Sequence, residues 1–172
     1  MVYPIVYYPE AVLETSAADV VEFDTPELHA LLDDMFVSMY TAKGVGLAAP
    51  QIGISKRIAV IDLSVSDDPA QKLVLINPQI VHKEGTQTSE EGCLSIPGFR
   101  EQVTRANKVT VRAQDAKGEW WEKTGEELLA RAFLHEIDHL SGKLYISQVS
   151  AIKRDLIRRK VRKLIKAGEW HK

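Results

Sequence analysis

Two histidines four residues apart, with a glutamate directly after the first, stand in the stretch FLHEIDHLSG, Phe133 to Gly142. Residues i and i+4 share one face of a helix, so His135 and His139 can aim two imidazole nitrogens at one metal ion. Glu136 is then the expected general base beside a metal-activated water. The same residue types also sit comfortably on half-buried helices, so the pattern needs a third ligand before it means catalysis.

Elimination narrows that ligand. A glutamate from a later helix is one solution, but after His139 the only carboxylates are Asp155, inside a basic helix, and Glu169. A third histidine in H-E-x-x-H-x-x-G-x-x-H is another. Gly142 fits that pattern, yet Tyr145 stands where the histidine should be. Met1, Met35 and Met39 all lie upstream, which leaves no methionine turn. Cys93 remains, within EEGCLSIPG (Glu90 to Gly98), a soft thiolate that completes a His₂Cys set with a fourth position open. Two other readings use the same residues. A lone cysteine is often a small core residue, and beside His135 it could serve as a thiol nucleophile without metal. A closed, non-catalytic metal site is the third, but it has no use for Glu136.

A further candidate is GVGLAAPQIG, Gly44 to Gly53. Its glycines match a loose dinucleotide fingerprint, which needs a strand before it and a helix after it. Here the helical pattern comes first and the strand-like RIAVIDL second, so the nucleotide reading fails on context. A tight turn explains the glycines but not Gln51, whose side-chain amide could donate to a developing oxyanion.

The elements that must carry these residues are legible in outline. TPELHALLDDMFVSMYTAKG predicts a helix capped by Thr25, opened by Pro26 and closed by Gly44. RIAVIDL and LVLINPQIV read as buried strands; FREQVTRA, KVTVRAQD and EWWEKT read as shorter antiparallel ones, the last two turned at Lys117-Gly118. GEELLARAFLHEIDHL is a second helix and AIKRDLIRRKVRKLIKA a third. Strands clustered together rather than alternating with helices predict an α+β fold. The 172 residues, 45% hydrophobic and 27% charged, suit one domain spanning 1–172, with a basic helix over 150–168. A single cysteine rules out an intramolecular disulfide framework and fits a reducing compartment. No apolar run is long enough to span a membrane, and the first residues carry no secretion signal, so a cytoplasmic protein without membrane or DNA partners is expected.

With those residues placed, the sequence resembles the peptide deformylases. GVGLAAPQ, EGCLS and HEIDH occur in that family's order, and the flanks INP, CLSIPG and HLSGKL match as well, so the likeness covers essentially the whole chain. The resemblance implies antiparallel sheets around a central helix carrying H-E-x-x-H. It also implies removal of the formyl group from the N-terminal formylmethionine of newly made chains, with release of formate. Cys93, His135 and His139 would hold the metal, and Glu136 would act as base and then acid. The Gln51 side chain and the Leu94 backbone N–H would form the oxyanion hole. Gly46 and Gly92 would meet the substrate backbone, while Val45 and Leu128 would line the methionine pocket. The resemblance further implies one divalent ion, Fe2+ in the cell, with Zn2+, Ni2+ or Co2+ possible after purification, nickel and cobalt as active substitutes and zinc often poorly active.

Four positions ask for separate expectations. Leu134 stands where the family usually has Gln, which predicts altered packing with catalysis retained. Arg131, one turn before His135, reads as a solvated helix residue, with the border of the substrate channel as the alternative. Asp138 points away from the metal face, either paired with Arg105 or as a surface acid. The last helix lies in a segment, residues 153–172, with nine Lys/Arg against two acids, so it carries +7 on a chain whose remainder carries −9. Its apolar residues Ile152, Leu156, Ile157, Val161, Leu164 and Ile165 form one stripe, and its basic face is either solvated or docks on ribosomal RNA.

Overall fold

The computed structural model of the chain describes residues 1–171; Lys172 lies outside them. Helix α1 (Pro26–Thr41) begins as its sequence predicts, with Pro26 in the first turn and the Thr25 hydroxyl accepting the Leu28 N–H. Its end differs from expectation. Lys43, not Gly44, takes the left-handed conformation, at φ 61°. Gly44 follows it with little room, since a Cβ there would sit 2.9 Å from Leu94 Cδ1 and push the end of that side chain aside.

Seven strands follow: β1 (Gly46–Ala48), β2 (Ile58–Ile61), β3 (Leu73–Glu84), β4 (Gln87–Cys93), β5 (Ile96–Arg105), β6 (Lys108–Gln114) and β7 (Trp120–Glu126). Helix α2 (Leu128–Leu140) carries the His-Glu-x-x-His motif, and α3 (Ala151–Lys166) closes the chain. Five strands form an antiparallel sheet in the order β1-β2-β3-β6-β7, and β4 pairs with β5 in a separate two-stranded sheet. The α+β expectation holds. Two strands escaped the sequence reading. β1 lies hidden in GVGLAAPQ because three residues are too few to show alternation. β4 was missed because it ends inside EEGCLSIPG, which turns directly into β5 with Cys93 opposite Ile96.

The five-stranded sheet is covered on both faces, and the two-residue period of β2 shows how. Ile58 and Val60 face α1, where they pack with Leu28, Leu32, Met35 and Met39. Ala59 and Ile61 face α2, packing with Leu75, Val111, Phe133 and Ile137. Burying each such large apolar side chain contributes about 1.5–3 kcal/mol, so this sandwich anchors the metal-motif helix against the sheet. Leu134, in place of the family's Gln, is buried in the same cluster.

The third cluster joins α3 to β5 and the N-terminal segment. Here the predicted single stripe splits. Ile157 and Val161 are buried and Leu164 packs beside them, whereas Ile152 is 76% exposed and Leu156 49% exposed. Six apolar residues subtend too wide an arc for a 16-residue helix to bury on one flat contact. After the helix, Trp170 turns back, donates its indole N–H to the Tyr8 carbonyl and packs on Phe99 of β5.

Candidate metal centre

β4 and α2 meet where the sequence places its chemistry. Cys93 Sγ lies 3.4 Å from His139 Nε2, and the two histidine Nε2 atoms are 3.1 Å apart. One donor atom from each of Cys93, His135 and His139 falls within 4.8 Å of the others. Two imidazole nitrogens this close repel through their lone pairs unless a proton or a cation sits between them. A soft thiolate with two imidazoles suits a divalent transition ion. Glu136 Oε1 is buried without a hydrogen-bond partner, so the acid beside the cluster keeps an acceptor in reserve.

The histidines do not hold themselves in place. Glu91 of β4 accepts from His135 Nδ1 at 2.7 Å. An ionised carboxylate only accepts, so Nδ1 carries the proton and the Nε2 lone pair is free to face the metal position. Burial works against the Glu91 charge, but bonds from Arg105 and His135 outweigh it and hold the carboxyl well below the usual range. Arg105 grips both oxygens of Glu91 at 2.8 Å and reaches Asp138 at 2.9 Å. Asp138 is thus the paired acid, not a free surface one. Arg131 takes the alternative reading: at 5% exposed it is not solvated but borders the cavity beside these groups, and its Nη1 donates to Glu91 at 2.6 Å. Glu136 has no such partners, and burial pushes its carboxyl up to about 7.

Gln51 arrives from the turn after β1. Its Oε1 accepts from the Ala48 N–H at 3.0 Å, which turns the amide nitrogen toward Cys93 Sγ at 3.5 Å and Ser95 Oγ at 3.3 Å. Leu94 follows Cys93 in the reversal between β4 and β5. Strand β1 runs so close to α2 that a Cβ on Gly46 would overlap the Glu136 carboxylate. A cavity of about 520 Å³ opens over these groups. Its walls include Val45, Gly46, Gly92, Leu94 and Leu128, together with Glu136, so the residues expected to meet substrate share one space.

The model of the polypeptide deformylase family matches residues 2–155. The chain belongs to that family. A peptide deformylase of Acidobacterium capsulatum is 64% identical over 170 residues, covering 99% of both chains. The crystal structure of a peptide deformylase from Legionella pneumophila superposes with a TM-score of 0.89 at 46% identity, covering 98% of each chain. That of the Thermus thermophilus enzyme gives 0.86 at 40%, covering 94% of each. As a peptide deformylase, the chain is a metal-dependent hydrolase that removes the N-terminal formyl group from formylmethionyl peptides.

Sequence reasoning about this deformylase missed Glu91 and Ser95. The signal for the first was slight: Glu91 stands two residues before Cys93, and alternation puts both on one face only once β4 is known to be a strand. Ser95 had none, because its role depends on a turn geometry that no spacing encodes.

Proposed function

We propose that residues 1–172 act as one catalytic domain in which Cys93, His135 and His139 ligate a single divalent ion, ferrous in the cell. When bound, such an ion polarises the formyl carbonyl and lowers the pKa of water from about 15.7 to near 7. Glu136 accepts the proton of the attacking water and delivers it to the departing amine. Its carboxyl, raised to about 7, suits both halves of that exchange. The Gln51 amide nitrogen and the Leu94 N–H hold the oxyanion, and collapse releases formate and a free methionine amine.

Recognition rests on the cavity. Val45 and Leu128 offer apolar surface to the methionine side chain, and Leu128, 53% exposed, is left for a ligand to cover. Gly46 and Gly92 meet the peptide backbone, so the enzyme accepts many sequences beyond the first residue. Nickel and cobalt substitute for iron, and zinc binds tightly by the ordinary affinity order. The protein works in the cytoplasm, where its substrates are made; among the described residues no helix is long and apolar enough to cross a membrane. The basic outer face of α3 docks on ribosomal RNA, supported by its density of exposed Lys and Arg.

The observation that carries the reading is the close grouping of one thiol and two imidazoles in the cavity that also holds Glu136 and Gln51. The deciding experiment is anaerobic purification with metal analysis, followed by formate release from formyl-Met peptides. One equivalent of a divalent ion, loss of turnover on chelation and its return with Fe2+, Ni2+ or Co2+ are expected. Formyl-Met should exceed formyl-Ala by about tenfold or more in kcat/KM, as loss of a side chain from an apolar pocket implies. Turnover that survives chelation would instead identify a thiol enzyme using Cys93.

A further inference from the structure

Arg131 lies one turn before His135 on α2, and both side chains bond the same carboxylate. The division of Glu91 is specific. Oε1 accepts from Arg105 Nε at 2.8 Å and Arg131 Nη1 at 2.6 Å; Oε2 accepts from Arg105 Nη2 at 2.8 Å and His135 Nδ1 at 2.7 Å. Arg131 Nη2 also donates to the Val103 carbonyl of β5 at 3.0 Å, while its Nε is buried without a partner. The side chain is therefore held by its two terminal nitrogens, stretched from the helix to both strands of the small sheet. Two arginines and two acids, Glu91 and Asp138, balance within this network. Arg105 alone would satisfy both oxygens of Glu91 and pair with Asp138, so the second guanidinium is not required to fix that carboxylate's plane.

What Arg131 adds is a choice of oxygen and a spacing. We propose that Arg131 is a positioning residue for the metal centre: by occupying Oε1 of Glu91 it confines the His135 Nδ1–H to Oε2, which fixes the direction of the His135 Nε2 lone pair. Through Val103 it also sets the separation between α2, which carries the histidines, and the sheet that carries Cys93. The inference rests on the reading of Cys93, His135 and His139 as ligands. Outer partners of metal-binding histidines change metal affinity by about 10- to 100-fold when removed, and Arg131 acts one bond further out through the same carboxylate.

The test uses full-length protein loaded with Co2+, read by chelator-driven release and by the visible absorption of the bound ion. Arg131→Met is expected to release cobalt about tenfold faster or more and to alter its spectrum. Arg131→Lys, which keeps a charged donor for Oε1, should stay within about threefold of the parent on the same scale. In a Glu91→Gln background, Arg131→Met should add little, since residues acting through one another are non-additive. Should Arg131→Met fail to fold, Arg131→Gln, which retains a donor for the Val103 carbonyl, is read in the same way and is expected to release cobalt faster. A folded neutral variant with the parent's release rate and spectrum overturns the proposal, as does an undiminished effect in the Glu91→Gln background. A parent protein that takes up no cobalt would instead overturn the ligand reading itself.

Discussion

Helix α2 and helix α3 are both amphipathic, yet they are fastened in different ways. α2 is held on one side by apolar packing and on the other by a buried polar seam: Arg131 and His135 onto Glu91, and Asp138 onto Arg105. α3 is held chiefly by Ile157, Val161 and the returning Trp170, with Arg154 donating to the Ile146 and Val149 carbonyls at its first turn; its outer face is cationic and partly bare. Apolar contact is non-directional, so it seats a helix without specifying the last half ångström. Charge-assisted bonds are directional, and the buried ones on α2 lie beside the thiol–imidazole cluster.

The contrast can be broken or sharpened by substitution, the largest effect falling on the seam's product. Glu136→Gln should retain the metal and fold while lowering kcat by about 10²- to 10⁴-fold, the usual contribution of a positioned acid–base group. Metal content measured alongside formate release checks both halves; surviving turnover would move the base elsewhere. Next comes removal of α3. Ending the chain after Ser150 exposes the cluster that contains Cys93 and Phe99 as packing partners, so loss of folding is expected. A thermal melt of the truncated chain tests this, and an unchanged melting temperature would show that α3 is a mere appendage. Val161→Ala should cost about 1–3 kcal/mol by denaturant unfolding, from lost apolar burial, while leaving the cobalt spectrum untouched. Charge reversal at Arg159, Lys160 and Lys163, all exposed, should leave stability and short-peptide turnover within error. It should weaken ribosome binding and flatten its salt dependence. Smallest is Glu127→Gly at the entrance to α2. Glu127 sits at φ 53°, ψ −117°, a conformation that favours glycine, and it makes no side-chain cap. Relieving it should stabilise the fold by about 1 kcal/mol, read as a raised melting temperature.

The same contrast explains what was legible before the structure. Periodicity located all three helices within a few residues, because burial of α1, α2 and half of α3 follows a repeat that is written in the chain. The thiol–imidazole cluster was legible because its residue types are rare and the alternative third partners were lacking. The seam was not. Glu91 and Arg131 look like ordinary charged residues of a strand and a helix, and only their meeting across 40 positions gives them a task. The split of the α3 stripe was illegible for the opposite reason: sequence shows which residues are apolar but not how much surface the partner offers.

Strand β1 stands at the end of the five-stranded sheet, beside the cavity, and it is only three residues long. The Ala48 N–H of this strand is taken by Gln51 Oε1, while Gly46 lines the cavity, so an extended chain laid there would meet main-chain groups that pair with any amino acid. Such pairing would let a site be strict about one side chain and indifferent to all that follow. A lock cut for a single key would fail in a cell that sends it thousands of different sequences with the same first letter.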